Sequence, residues 1–164
     1  MAQIPKLREL SFLVYGLGLS GCSVVKFLKK NKIINFKVWD DNKNHKFQSH
    51  KSQNLLHSLN QVDYIVLAPG ISLGKNKNLI KFKEKIITDI DLFYLTKNKS
   101  KSIVVTGTNG KSTTCKLISH LLKKNKIKCG LGGNIGTPIL DLKETRNKFT
   151  IIDAIEKLNL TKSR

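Results

Sequence analysis

Twice in this chain a short β-branched run ends in a glycine loop that opens an amphipathic helix. The two loops are Gly16-Leu17-Gly18-Leu19-Ser20-Gly21 and Thr106-Gly107-Thr108-Asn109-Gly110-Lys111-Ser112-Thr113. Strand, glycine turn and helix in that order open a βαβ unit, which restricts the fold to parallel sheets with helices on their faces. Around both loops the alternation continues. Strands are expected at 11–15, 36–39, 62–67 and 85–87, then at 102–106, 128–131 and 149–152. Helices are expected at 20–30, 89–95 and 111–124, with a weaker one inside 45–59, and Asp89 reads as the N-cap of the helix it begins. The hydrophilic Lys97-Asn98-Lys99-Ser100-Lys101 separates two tandem units. The fold class is therefore α/β, a Rossmann-like parallel-sheet domain over 1–97 followed over 98–164 by the start of a P-loop α/β domain.

In the first loop, Gly16 permits a tight turn, Gly18 lets a diphosphate approach the backbone, and Gly21 lets the helix pack closely on the strand. The helix start offers unpaired N–H groups to an anion. Asp40 ends the second strand 19 residues beyond Gly21, where a carboxylate can accept ribose hydroxyls. This pattern suits a nicotinamide-dependent oxidoreductase as well as it suits any other diphosphate-linked nucleotide, and a glycine turn built for packing alone is a further reading. Ala68-Pro69-Gly70-Ile71-Ser72 leaves a strand at the same edge, either as a ligand loop or as a plain Pro-Gly turn.

The second loop narrows the choice. Its backbone N–H groups can cradle phosphate oxygens, the Lys111 ammonium can sit on the outer phosphates, and the Ser112 hydroxyl is a hard oxygen ligand for Mg²⁺. It is shorter than the general G-x-x-x-x-G-K-[ST] pattern: Val105 stands at the first glycine position, and Gly107 lies three residues before Gly110. A dehydrogenase needs no such loop. An enzyme that activates a carboxylate with ATP needs one, to hold the triphosphate in line with its substrate.

The net charge of +19 invites nucleic acid as a partner. Its distribution argues against that: 16 basic and 7 acidic residues lie in 1–97, and 14 and 4 in 98–164. Only 3 of the 30 basic residues are arginine, the usual reader of bases and phosphates. No nucleic-acid partner is expected. The longest uncharged run, residues 10–25, is interrupted by glycines and serines and is too short to cross a bilayer, so no membrane insertion is expected. Cys22, Cys115 and Cys129 lack metal-ligand spacing and read as small buried hydrophobes in a reducing compartment, which places the chain in the cytoplasm. His45, His50, His57 and His120 read as solvated surface residues, and Trp39 as a strand-packing residue.

Taken in order, the loop at 16–21, Ala-Pro-Gly-Ile-Ser (68–72), Thr-Asp-Ile-Asp-Leu-Phe (88–93), the loop at 106–113 and Gly-Gly-Asn-Ile-Gly-Thr-Pro (132–138) resemble the hallmarks of the Mur ligases. The resemblance covers residues 10 to about 153. Within that family, Ser after Lys111 together with Gly-Asn-Ile-Gly is most similar to the member that adds D-glutamate to UDP-N-acetylmuramoyl-L-alanine. The resemblance implies that ATP phosphorylates the alanine carboxylate and that the D-glutamate amine attacks the resulting acyl phosphate. It implies ATP binding by Gly107, Thr108, Asn109, Gly110, Lys111, Ser112 and Thr113, with Lys111 catalytic. Substrate contacts are implied for Leu19, Ser20, Asp40, Asp41, Gly70 and Asn134, and Mg²⁺ contacts for Ser112 and Asp153. A full-length member is expected to be a monomer.

The family pattern continues with a Mg²⁺-binding Glu in a Glu-x-Ser-Ser-Phe-Gln-like segment. Here Asp153 stands near the Glu position and Ala154-Ile155-Glu156-Lys157-Leu158-Asn159 follows it. The expectation is a truncated chain, a shifted reading frame or a split gene, with apolar faces of the strand at 103–105 and the helix at 116–122 partly uncovered. An inactive nucleotide-binding fragment is the companion expectation.

Overall fold

The computed structural model describes residues 4–42, 47–95, 101–142 and 148–154, in two compact units, Met1–Lys97 and Asn98–Arg164. The first begins with the single turn α1 (Ile4–Leu7) and alternates β1 (Phe12–Tyr15), α2 (Leu19–Lys30), β2 (Phe36–Trp39), α3 (Leu55–Gln61), β3 (Tyr64–Leu67), α4 (Lys77–Lys81), β4 (Ile86–Ile87) and α5 (Asp89–Leu95). Its four strands form one parallel sheet in the order β2-β1-β3-β4. The chain thus steps from β1 to one side and then returns to the other, and the gap between the carboxyl ends of β1 and β3 is the switch point where open parallel sheets collect ligands.

Every residue of β1 is buried, as expected of a strand covered on both faces. On one face Leu13 and Tyr15 pack with Leu59 of α3 and Leu79 of α4, joined by Ile65 and Leu67 of β3. On the other, α2 lies across β1 and β3 and meets α5, presenting Val24, Val25 and Leu28 inward. Each such fully buried aliphatic side chain contributes about 1.5–3 kcal/mol.

The second unit contains β5 (Lys101–Val105), α6 (Lys111–Lys124), β6 (Cys129–Gly133) and β7 (Phe149–Asp153). Its described strands are parallel in the order β5-β7-β6, so the last strand fills the middle. Ile151 and Ile152 of β7 are fully buried, whereas Ile103, Val104 and Val105 of β5 are only partly covered. On α6, Leu117 and Leu121 are about half exposed (57% and 50%). This is the uncovered apolar face that the sequence leads one to expect.

Both long helices stop in the same way. Lys32 (φ 57°) and Lys126 (φ 59°) take the left-handed conformation, and the next N–H bonds back to a carbonyl five residues earlier, Ile33 to Leu28 and Ile127 to Leu122, each at 2.9 Å.

Several local expectations are corrected. Thr88, not Asp89, caps α5: its hydroxyl accepts the Asp91 N–H (3.2 Å) while the Asp91 carboxylate accepts the Thr88 N–H (2.7 Å), a reciprocal box that leaves Asp89 inside the helix. The weak helix inside 45–59 reduces to a 3₁₀ turn at Gln48–His50 and to α3, which starts only where Asn54 caps it. His50 is not simply solvated: its ring stacks on Phe36 at 4.3 Å between centroids, and burial lowers its pKa. His45, the spacer residues 97–100 and residues 155–159 lie outside the described residues. Of the cysteines only Cys115 is fully buried; Cys22 is half-buried and donates to the Leu17 carbonyl at 3.1 Å. Among the described residues no helix is long and apolar enough to cross a membrane.

Candidate functional site

The glycine loop of the first unit is built by close contact. A Cβ on Gly16 would lie 2.8 Å from Ala68 Cβ and 2.9 Å from Ile71 Cγ1, so the 16–21 loop and the 68–72 loop lean on each other at the switch point. A Cβ on Gly21 would overlap the Gly16 carbonyl oxygen. The helix that follows has no side-chain cap and no acidic residue in its first turn, which leaves its N–H groups for an anion.

Leu19 stands at that helix start, 81% exposed, and Ser20 beside it is half-buried. The Ser20 hydroxyl meets Asp89 at the start of α5, a buried carboxyl whose pKa burial raises and whose hydrogen bonds to Ile90 and Ser20 pull the other way. The two carboxylates after β2 differ. Asp40 accepts the backbone N–H of Leu17 with Oδ2 and that of Asn42 with Oδ1 (2.8 Å), so it braces the glycine loop. Asp41 is exposed and accepts side-chain donors, Tyr15 Oη and Trp39 Nε1. Gly70 lies exposed in the Pro-Gly turn, with nothing within 4 Å of where a Cβ would stand. All five residues expected to contact the substrate in this unit sit at the carboxyl edge of its sheet.

In the second unit the loop from Gly107 turns into α6 at Gly110, whose φ of 75° is a left-handed conformation suited to glycine. Lys111 folds its ammonium over the loop and donates to the carbonyls of Gly107 and Thr108, the latter at 3.3 Å. Thr108, Asn109 and Thr113 are exposed. Ser112 points to the end of β7, where its hydroxyl donates to Asp153 Oδ2 at 3.0 Å. Register explains the meeting: Asp153 is paired with Val105, the last strand residue before the loop. Asn134 is drawn to the same place, its N–H donating to the Asp153 carbonyl at 2.9 Å.

Asp153 is fully buried, and its second oxygen, Oδ1, has no hydrogen-bond partner among the described residues. An orphaned carboxylate oxygen costs several kcal/mol unless something cationic or hydrogen-bonding reaches it. With the Ser112 hydroxyl, it forms an all-oxygen pair of the kind that holds a hard divalent cation. The Cys115 thiol, buried one turn along α6, registers the same charge: burial first and then Asp153 push its pKa up.

Sequence reasoning missed Tyr15, Asn76 and Asp89 as members of the site. The first two are 61 residues apart and are joined by a hydrogen bond; no local pattern announces such a pair.

Residues 10–88 match the Mur ligase MurD-like, N-terminal domain, and residues 105–163 match the Mur ligase middle domain. The UDP-N-acetylmuramoylalanine--D-glutamate ligase of Wolbachia sp. subsp. Brugia malayi (strain TRS) is 37% identical over 163 residues, covering 91% of this chain and 32% of that protein. The protein of the same name from Rickettsia prowazekii (strain Madrid E) is 38% identical, covering 92% and 35%. The one from Francisella tularensis subsp. tularensis (strain WY96-3418) is 40% identical over 133 residues, covering 79% and 30%. The chain spans about a third of the length of these relatives.

Proposed function

The chain belongs to the Mur ligase family, and from that premise we propose that its two units are the UDP-substrate-binding and ATP-binding parts of an enzyme joining D-glutamate to UDP-N-acetylmuramoyl-L-alanine. The names of its relatives support that choice of substrates. The observation that carries the reading is the Ser112–Asp153 contact at the mouth of a phosphate-type loop, with one buried carboxylate oxygen left over.

In this reading the backbone N–H groups of 107–113 receive the ATP phosphates. Lys111 exchanges its loop carbonyls for the outer phosphate oxygens and neutralises charge that grows as the phosphoryl group leaves. Ser112 and Asp153 hold Mg²⁺, and the ion when bound supplies a divalent charge that screens the phosphates. Asn134, tied to the Asp153 backbone, faces the substrate from the same edge.

In the first unit the open helix start at Leu19 and Ser20 takes the diphosphate, Asp40 keeps the glycine loop in shape, Asp41 meets the nucleoside, and Gly70 lets the neighbouring loop close over it. Synthesis of an acyl phosphate requires a site that excludes water, and nucleotide substrates place this chemistry in the cytoplasm.

Calorimetric titration of the purified chain with UDP-N-acetylmuramoyl-L-alanine, with NADH, and with ATP in the presence and absence of Mg²⁺ tests the reading. Binding of the UDP substrate, and of ATP more tightly with Mg²⁺, is expected. Preference for NADH over the UDP substrate would overturn it in favour of an oxidoreductase.

A further inference from the structure

At the carboxyl edge of the first sheet, side chains of Tyr15 and Trp39 meet one exposed carboxylate, and a third segment backs the Tyr15 phenol. Tyr15 ends β1 and is 1% exposed. Its phenol donates to Asp41, with Oη 2.9 Å from Oδ1 and 3.1 Å from Oδ2. Trp39 Nε1 donates to Oδ1 at 3.1 Å. Asn76 Nδ2 in turn donates to the Tyr15 oxygen at 3.1 Å, and Asn76 is itself fixed because its own Oδ1 caps α4 through the Asn78 N–H.

A phenol that accepts one hydrogen bond while donating another is polarised in the direction of its donation. Burial raises the Tyr15 pKa, and the neighbouring Asp41 carboxylate adds to the rise, so the phenol keeps its proton and remains a donor. The surface carboxylate of Asp41 is thereby held in one orientation rather than sampling rotamers. Among the described residues two donors occupy Oδ1, whereas Oδ2 receives only the longer branch of the Tyr15 bond and keeps acceptor capacity. An ionised carboxylate only accepts, so its complement is a hydrogen-bond donor and not a phosphate.

Asp40, one residue earlier, has both oxygens on backbone N–H groups. Of the two acidic residues, Asp41 is therefore the one presented outward by a network of side chains. We infer that Tyr15 is a positioning residue that, with Trp39 and Asn76, aims Asp41 at a hydrogen-bond donor on the nucleoside of the UDP-linked substrate. The inference rests on the reading above, which places the nucleoside at this edge. A uridine offers two kinds of donor, the ribose hydroxyls and the uracil N3–H.

Titrations of UDP, 2′,3′-dideoxy-UDP and N3-methyl-UDP into the parent chain and into Tyr15→Phe test it. The variant keeps the ring in the core and loses only the hydroxyl. UDP binding should weaken by about tenfold, while the analogue lacking the donor that Asp41 reads should lose far less, which also tells the two donors apart. Asn76→Ala, which leaves the buried ring untouched, should shift the same ratio in the same direction by a smaller factor. Equal losses for UDP and both analogues, or no loss in either variant, would overturn the inference while leaving the functional reading in place. Failure of the parent chain to bind UDP would overturn both.

Discussion

The loop at 16–21 and the loop at 107–113 both lead from a parallel strand into a helix that lacks a side-chain cap and an acidic first turn. The first is wedged: Gly16 and Gly21 are needed because Ala68, Ile71 and the loop's own backbone occupy the space a side chain would take. The second is open. Nothing lies within 4 Å of a Cβ built on Gly110, and glycine is needed there for its backbone angle. The charges differ as well. The first loop is braced by a carboxylate just past the next strand and has no lysine, whereas the second carries Lys111 and faces a carboxylate with one oxygen unpartnered among the described residues. In the proposed reading, one helix start would bind by shape and backbone, and the other would add full charges, as handling a triphosphate requires.

The sharpest way to break this contrast is Gly21→Ala. With backbone in the way, the substitution should destabilise the first unit by about 3 kcal/mol. Urea unfolding followed by the fluorescence of Trp39, the chain's single tryptophan, reads this unit alone; an unchanged midpoint would mean that the loop is not wedged.

Lys111→Ala should weaken ATP binding in the presence of Mg²⁺ on the order of 50-fold and leave binding of UDP at its parental level. Asp153→Asn keeps an acceptor for Ser112 but not the negative charge, so ATP binding should lose its Mg²⁺ dependence, with about tenfold weaker retention of the metal. Equal ATP titrations for the parent and Lys111→Ala would remove the phosphate-loop assignment.

Gly110→Ala should cost about 1–2 kcal/mol for the left-handed backbone alone, measured by circular dichroism. Gly110→Asn should cost less, since Asn tolerates that conformation, and equal costs for the two would refute a purely conformational origin. The smallest effect is expected at Asp89. Its folded pKa lies above the unfolded value of about 3.9. The stability it contributes is thus fully present below that pH and is lost as pH rises through the folded pKa. Asp89→Asn, which cannot ionise, should escape that loss. Stability of the first unit measured from pH 4 upward should therefore diverge from the parent, with the variant the more stable at neutral pH.

Most strands and the long helices were legible because their apolar spacing is long enough to show a period. The helix at 111–124 and the strand at 36–39 fall where the pattern puts them. The shortest helices, α1 and α4, were not. Lys77–Lys81 is five residues, less than two turns, and exists because Asn76 caps it and Leu79 is buried. Apolar periodicity carries no information at that length. In the site, the glycine loops and Lys111 announce themselves by local order, whereas the division of labour between Asp40 and Asp41 does not. Adjacent acidic residues look alike in sequence; which one meets a backbone N–H and which meets a phenol depends on strands brought together from residues 12–15 and 36–39. The Thr88 cap was misjudged for a related reason, since Thr-x-x-Asp and a following Asp both offer capping chemistry and only the burial of Asp89 separates them.

The order β5-β7-β6 also bears on how the second unit is made. Among the described residues β5 and β6 do not pair with each other, and each finds its strand neighbour in residues 149–153. As the polypeptide leaves the ribosome, the 107–113 loop therefore emerges on a strand whose described partner is still more than forty residues of synthesis away. Closing such a long loop is slow and leaves unpaired strand edges open to misassociation in the interval. The strand that ends this exposure is the one that carries Asp153, so β5 and β6 are joined, and Ser112 meets its carboxylate partner, in a single event of chain growth.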